Sequence, residues 1–278
     1  MSEFTVHCLL RSATATVRDI SCNGSHQGRT PEEAALETQL VFPYRGIYVR
    51  HLGHDDAVAE VNQVLLFNAD EGYQVSHPVA GGDASLTVSV SASTLSEIAS
   101  PRLLKRSLGL AFRQHRLRID PRAQVLVTVL RHALHRDTTE PLEADGLALT
   151  LVHRALGPRT THEVGATAAR RRLVDRAKIV LASEPARRWT LAEVAAELSC
   201  SPVYLTQTFQ KVEGLPLYHY QMRLRLAQAL HKLAEYDDLT SLGLDLGFSS
   251  HSHFSAAFRR LYGHSPTEFR RLALQRDR

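Results

Sequence analysis

Cysteine is scarce in this sequence. Of 278 residues only Cys8, Cys22 and Cys200 are cysteines, and none stands at Cys-x-x-Cys spacing. That argues against a disulfide framework and against a cysteine-built zinc centre, so the three are expected as reduced thiols. No apolar run approaches the roughly 18 residues needed to span a bilayer. The first ten residues carry Glu3 and His7 where a secretory leader would be basic and then purely apolar. The expectation is a cytoplasmic chain with no membrane partner. A Gly-rich phosphate loop and a Gly-x-Ser-x-Gly elbow are also missing, which removes two large classes of catalytic site.

What is present is a balanced globular composition, 44% hydrophobic and 22% charged, which excludes disordered and fibrous chains. The length suffices for two ordinary domains. Net charge is +4 overall but unevenly placed: Ala166–Arg278 holds 17 Lys and Arg against 11 Asp and Glu, and the preceding residues hold 16 against 18. The C-terminal part therefore carries +6 and the N-terminal part −2. Such a split suits a C-terminal part that meets a polyanion.

Up to about Ala92 the chain reads as short strands. Thr38–Phe42, Gly46–Leu52, Val61–Phe67, Gln74–Val79 and Ser85–Val90 are rich in β-branched, leucine and tyrosine residues, and glycine-bearing turns break them. This spacing favours an antiparallel barrel or sandwich. Beyond Pro101, Ala123–Leu134 and Leu142–Leu156 show helical periodicity. The stripe Val125, Val129, Leu130 and Leu134 is suited to cover the strands or to pair with a second subunit. Residues 158–169, with Gly165-Ala166-Thr167, read as a linker between domains 1–157 and 170–278.

The last hundred residues contain a repeat. Thr190 and Glu193 have capping-box spacing at the start of a short helix. After the turn Ser199-Cys200-Ser201, Ser201 is an N-cap and Pro202 a first-turn residue for a helix over Val203–Val212 that Gly214 stops. Val194, Leu198, Leu205, Phe209, Gly214 and Tyr220 return 48 to 49 positions later as Leu242, Leu246, Phe254, Phe258, Gly263 and Phe269. One extra turn residue, within Gly247–Ser250, accounts for the change of offset. Two helix-turn-helix units in tandem are expected, joined by one helix over Leu217–Leu233 about 25 Å long. The two second helices would then stand roughly 34 Å apart, one turn of B-DNA.

These residues resemble the DNA-binding domain of AraC/XylS-type transcription regulators. The strings are Ser201-Pro202-x-Tyr204-Leu205-x-x-x-Phe209-x-Lys211-x-x-Gly214, Arg225-Leu226-x-x-Ala229, Leu246-Gly247-Phe248-Ser249-Ser250-x-Ser252-x-Phe254, and Gly263-x-Ser265-Pro266-x-x-Phe269-Arg270. The resemblance spans about Arg172–Arg271. It implies an α+β chain with a small cupin-like effector barrel over about residues 1–98, dimerisation helices over about 101–156 and an all-α C-terminal domain. It further implies double-stranded DNA as partner, RNA polymerase as a further one, and a homodimer.

By the same resemblance, bases are read by Val203, Thr206 and Gln207 in the first unit and by His251, Ser252 and Ser255 in the second. Gln207 suits a bidentate contact to adenine. Tyr204, Lys211, Arg225, Ser249, Arg259 and Arg260 are expected on phosphates. The chain departs from the family pattern at Ala256, where a longer reader is common, at Ser199, where glycine is common, and at Gly243, where alanine is usual.

In the N-terminal strands, period-two alternation puts His51 with Ile47 and Val49, and His77 with Tyr73, Val75 and Val79. Both histidines are expected to point inward, and Cys22, His51 and His77 are the candidate effector-pocket residues. Cys22, His26, His51, His54 and His77 are the soft donors available there. Their spacing matches no metal motif, so no resident metal or cofactor is expected, with a small-molecule or metal effector left open. The competing reading is a barrel-based metal-dependent enzyme, or a redox or metal sensor, anchored to DNA by the C-terminal units. No His-x-Asp/Glu pair supports an oxygenase, and no four-cysteine cluster supports methyl-acceptor repair.

Overall fold

The computed structural model describes residues 4–24, 27–53, 55–106, 109–136, 139–157 and 166–274. The chain divides into two compact units, Met1–His162 and Glu163–Arg278.

In the first unit the strands are β1 (Phe4–Arg11), β2 (Ala15–Cys22), β3 (Glu33–Ala34), β4 (Gln39–Arg45), β5 (Tyr48–Leu52), β6 (Asp55–Ala59), β7 (Gln63–Phe67), β8 (Gly72–Ser76), β9 (Asp83–Val90), β10 (Leu104–Arg106), β11 (Leu110–Phe112) and β12 (Arg116–Arg118). Helix α1 (Ala92–Ile98) precedes β10, and α2 (Pro121–His135) and α3 (Pro141–Leu156) follow β12. A six-stranded sheet runs β1-β2-β9-β4-β7-β12, a four-stranded sheet runs β3-β8-β5-β6, and β10 pairs with β11. The strands pair antiparallel, as expected. The expected closed barrel is replaced by two open sheets, and no ladder among the described strands joins them. The chain changes sheet between β6 and β7 through a tight turn in which Gln63 N–H donates to the Glu60 carbonyl at 2.9 Å and Asn62 N–H to the Glu60 carboxylate at 2.8 Å.

Side-chain alternation explains the layering. On β4, Leu40 and Phe42 face the helices while Val41 faces the other sheet; on β7, Val64 and Leu66 face one way and Leu65 and Phe67 the other. The larger cluster joins the six-stranded sheet to Val127 and Leu130 of α2 and to Leu151, Val152 and Leu156 of α3. Each such side chain, once buried, contributes about 1.5–3 kcal/mol. The α2 stripe is shifted from the expected one: Ala123, Val127 and Leu130 are buried, and Val125 and Val129 are only half-buried.

Polar contacts fix α2 on the sheet. Buried Asp19 of β2 accepts from Tyr44 Oη at 2.6 Å and Arg131 Nε at 2.8 Å, with His135 Nε2 at 2.5 Å. Burial raises the Asp19 pKa, but these bonds and the Arg131 charge outweigh it, leaving the carboxyl below its usual value.

The second unit is helical: α4 (Ala168–Ser183), α5 (Leu191–Glu197), α6 (Pro202–Glu213), α7 (Leu217–Lys232), α8 (Leu239–Asp245), α9 (His251–Tyr262) and α10 (Pro266–Phe269). Thr167 caps α4, so the helix begins inside the stretch expected as linker; residues 158–165 of that stretch lie outside the described residues. The caps are those the sequence announces. Thr190 and Glu193 close a capping box on α5, Ser201 caps α6, and Ser250 caps α9. Gly214 and Gly263 end α6 and α9 in the left-handed conformation, at φ 73° and 86°. Every apolar position of the repeat is buried, from Val194, Leu198, Leu205, Phe209 and Tyr220 to Leu242, Leu246, Phe254, Phe258 and Phe269.

Candidate functional sites

Helices α5 and α6 form one hairpin and α8 and α9 a second, each turning through a residue of positive φ: Ser199 at 54° and Gly247 at 80°. These two positions correspond in the repeat. Burial of Leu205 and Phe209 on α6 and of Phe254 and Phe258 on α9 leaves the opposite face of each second helix in solvent. On α6 that face presents Val203, 67% exposed, with Tyr204, Gln207, Gln210 and Lys211. On α9 it presents His251, Ser252, His253, Ala256, Arg259 and Arg260.

Two of the sequence-derived readers are less free than their neighbours. Thr206 is half-buried and donates its hydroxyl to the Pro202 carbonyl at 2.9 Å, so it is left to accept. Ser255 is half-buried with Oγ 3.3 Å from His251 Nε2. Ser249 is exposed, 3.1 Å from His253 Nδ1. Gln210 and His253 were not singled out from the sequence; helical spacing from Gln207 and Ser249 is the signal that finds them.

Arg225 corrects an expectation. It is 5% exposed, and its guanidinium donates to the carbonyls of Pro185 (2.8 Å), Ala186 (3.3 Å), Arg187 (2.8 Å) and Gly247 (3.2 Å). Burial, and next the charge of Arg188, lower its pKa. A guanidinium enclosed by four carbonyls is unavailable to phosphate. Its role is to tie the segment ahead of α5 to the turn of the second hairpin. Gly247 belongs to the same joint: a Cβ there would stand 2.1 Å from the Ala186 carbonyl oxygen. A second buried device holds α6 on α4, where Lys178 Nζ meets Glu213 Oε1 at 2.7 Å, both nearly fully buried.

A family model described as a helix-turn-helix domain matches residues 194–272. A putative AraC-like transcription regulator of Streptomyces lividans is 31% identical over 152 residues, 52% of this chain and 50% of that protein. The C-terminal unit contains a helix-turn-helix domain, similar to that of AraC-like regulators. The transcriptional regulator GadX of Escherichia coli O6:H1 is 31% identical over 97 residues, 34% of this chain and 35% of the relative. Among solved structures, a DNA-binding transcriptional dual regulator from Escherichia coli K-12 is 28% identical, covers 36% of this chain and 95% of its own, and has a TM-score of 0.34. The chain thus spans half or less of the length of these curated relatives. The matched region takes in α6, α7, α8, α9 and α10 whole, and Arg225 lies inside it.

The N-terminal unit holds a cavity of about 430 Å³ between its sheets. Ile20, Val41, Phe67 and Tyr73 supply apolar wall, and Cys22, His77 and Asp83 a polar corner. Tyr73, Val75 and His77 all line it, in line with the alternation read from the sequence. His51 does not. Alternation that brings Tyr48 to the cavity turns His51 to the other face of the four-stranded sheet, where Asp56 Oδ1 lies 2.6 Å and Ser76 Oγ 2.8 Å from its ring nitrogens. His26 and His54 lie outside the described residues. Asp83 was not among the sequence-derived candidates. Burial pushes its carboxyl up to about 6, against the lowering effects of His77 and Arg45.

Proposed function

We propose that the chain is a sequence-specific transcription regulator that sets α6 and α9 into two successive major grooves of double-stranded DNA. The observation that carries this reading is the duplication: two capped hairpins, each with an apolar face buried and a polar second-helix face exposed, in a domain of AraC type. On α6, Gln207 supplies a bidentate contact to adenine, with Val203 and Thr206 beside it. On α9, His251, Ser252 and Ser255 reach bases at shorter range. Tyr204, Lys211, Ser249, Arg259 and Arg260 hold phosphates and set register.

In this reading the N-terminal unit is a cupin-like effector domain. Its cavity lies within the roughly 300–1,000 Å³ typical of small-molecule sites. The protein works as a homodimer, for which the half-buried Val125 and Val129 of α2 offer an edge to a second copy, and it acts on RNA polymerase according to where its site lies. No reaction is assigned to it. The test is selection from a random duplex library followed by competition at fixed salt. A regulator prefers its selected site to random duplex by about 10³-fold or more. Equal affinity for both would leave only a nonspecific phosphate binder.

A further inference from the structure

We propose that Cys22, His77 and Asp83 form a binding site for a zinc-type divalent transition-metal ion in the wall of the inter-sheet cavity. The three donor atoms lie within 4.8 Å of one another. Cys22 is distant in sequence from the other two, and the sheet brings it to them: Cys22 and Asp83 are register partners at the end of the β2–β9 ladder, and His77 stands just beyond β8, six residues before Asp83.

Thiolate, imidazole and carboxylate are the three common protein ligands of zinc, while calcium and magnesium take oxygen ligands alone. His77 is 8% exposed. Its Nε2 faces Asp83 Oδ2 at 2.9 Å, and its Nδ1 is buried without a hydrogen-bond partner. A buried ring nitrogen left so is costly, and ligation through it would remove that cost. The backbone around the group is drawn in closely. A Cβ on Gly24 would stand 2.9 Å from His77 Cδ2, and one on Gly82 2.2 Å from the Cys22 carbonyl oxygen. All three side chains line the cavity. Three protein ligands leave a fourth position of a tetrahedral ion for water or for an atom of a molecule in that cavity.

The site is tested on the full-length, tag-free chain, stripped with a chelator and titrated with Zn²⁺ and, separately, Co²⁺. The expected result is about one tightly held ion per chain, a thiolate-to-cobalt charge-transfer band, and a thermal midpoint that rises with zinc. Cys22→Ser, close in size to the native residue, abolishes the band and weakens zinc binding by about 100-fold or more, and Asp83→Asn weakens it by at least about 10-fold. Cys200→Ser and His51→Ala retain wild-type binding. Failure of the wild-type chain to bind near-stoichiometric metal overturns the proposal, as does wild-type affinity in Cys22→Ser. Both readouts are independent of DNA, so they stand or fall apart from the regulator reading.

Discussion

The two helix-turn-helix hairpins share a frame and differ in what they place on it. At the first turn Ser199 takes a positive φ that Gly247 takes at the second, where the glycine is pressed against the Ala186 carbonyl. The first hairpin is locked from behind by the buried Lys178–Glu213 pair, whereas the second is held by aromatic packing of Phe248, Phe254, Phe258 and Phe269. Gly243 fits that packing, because a Cβ there would lie 3.1 Å from the Phe254 side chain. Their exposed faces diverge as well. The first carries Gln207 and Gln210, and the second carries short side chains, Ala256 among them, followed by Arg259 and Arg260. In the proposed reading, the difference makes α6 the stronger base reader and α9 a shorter-range reader with an added phosphate clamp, while Arg225 ties the segment ahead of α5 to the second turn.

The largest expected effect breaks the lock of the first hairpin. Glu213→Ala leaves the Lys178 ammonium buried without its carboxylate and lowers stability of the C-terminal unit by about 3–5 kcal/mol. Calorimetry of the variant checks it. Arg225→Met follows, at about 1–3 kcal/mol, because the Arg187 carbonyl keeps the Gln221 amide and the Trp189 N–H as donors and Ala186 and Arg187 are exposed to water. The thermal midpoint of the C-terminal unit should fall, and DNA affinity should drop even at high salt, where a lost phosphate contact alone costs least.

Two substitutions then sharpen the contrast between reader and clamp. Gln207→Ala should cost about 1–3 kcal/mol on the selected site and little on random duplex. Arg260→Ala should weaken both alike and reduce the slope of log affinity against log salt by about 1. Binding isotherms across a salt series separate the two patterns. The smallest effect is a gain: Ser199→Gly relieves a serine at positive φ and should stabilise the unit by up to about 1 kcal/mol, read as a higher thermal midpoint.

The C-terminal unit was legible because its signals are local. Thr190, Ser201, Gly214 and Gly263 mark helix ends within a few residues of the apolar positions they serve. The N-terminal unit was less so. Strand β2 carries Arg18 and Asp19 in its middle, and Asp19 is buried only because Tyr44, Arg131 and His135 reach it from distant elements. Strand β1 lies at the sheet edge and is largely exposed, so it shows no alternation of burial. Strand β6 opens on Asp55-Asp56 and pairs antiparallel with β5. The Cys22–His77–Asp83 group is a product of ladder register, invisible to ligand spacing along the chain. Arg225 binds carbonyls where the sequence suggests phosphate, because the two kinds of guanidinium look alike in sequence.

The central claim, that both second helices engage one DNA molecule together, is tested most directly by chemical footprinting of the wild-type chain on its selected duplex. The account predicts two protected major-groove windows about 10–10.5 base pairs apart on one face of the helix, with the α6 window lost in Gln207→Ala before the α9 window. A single protected window, or uniform protection without phase, would contradict it.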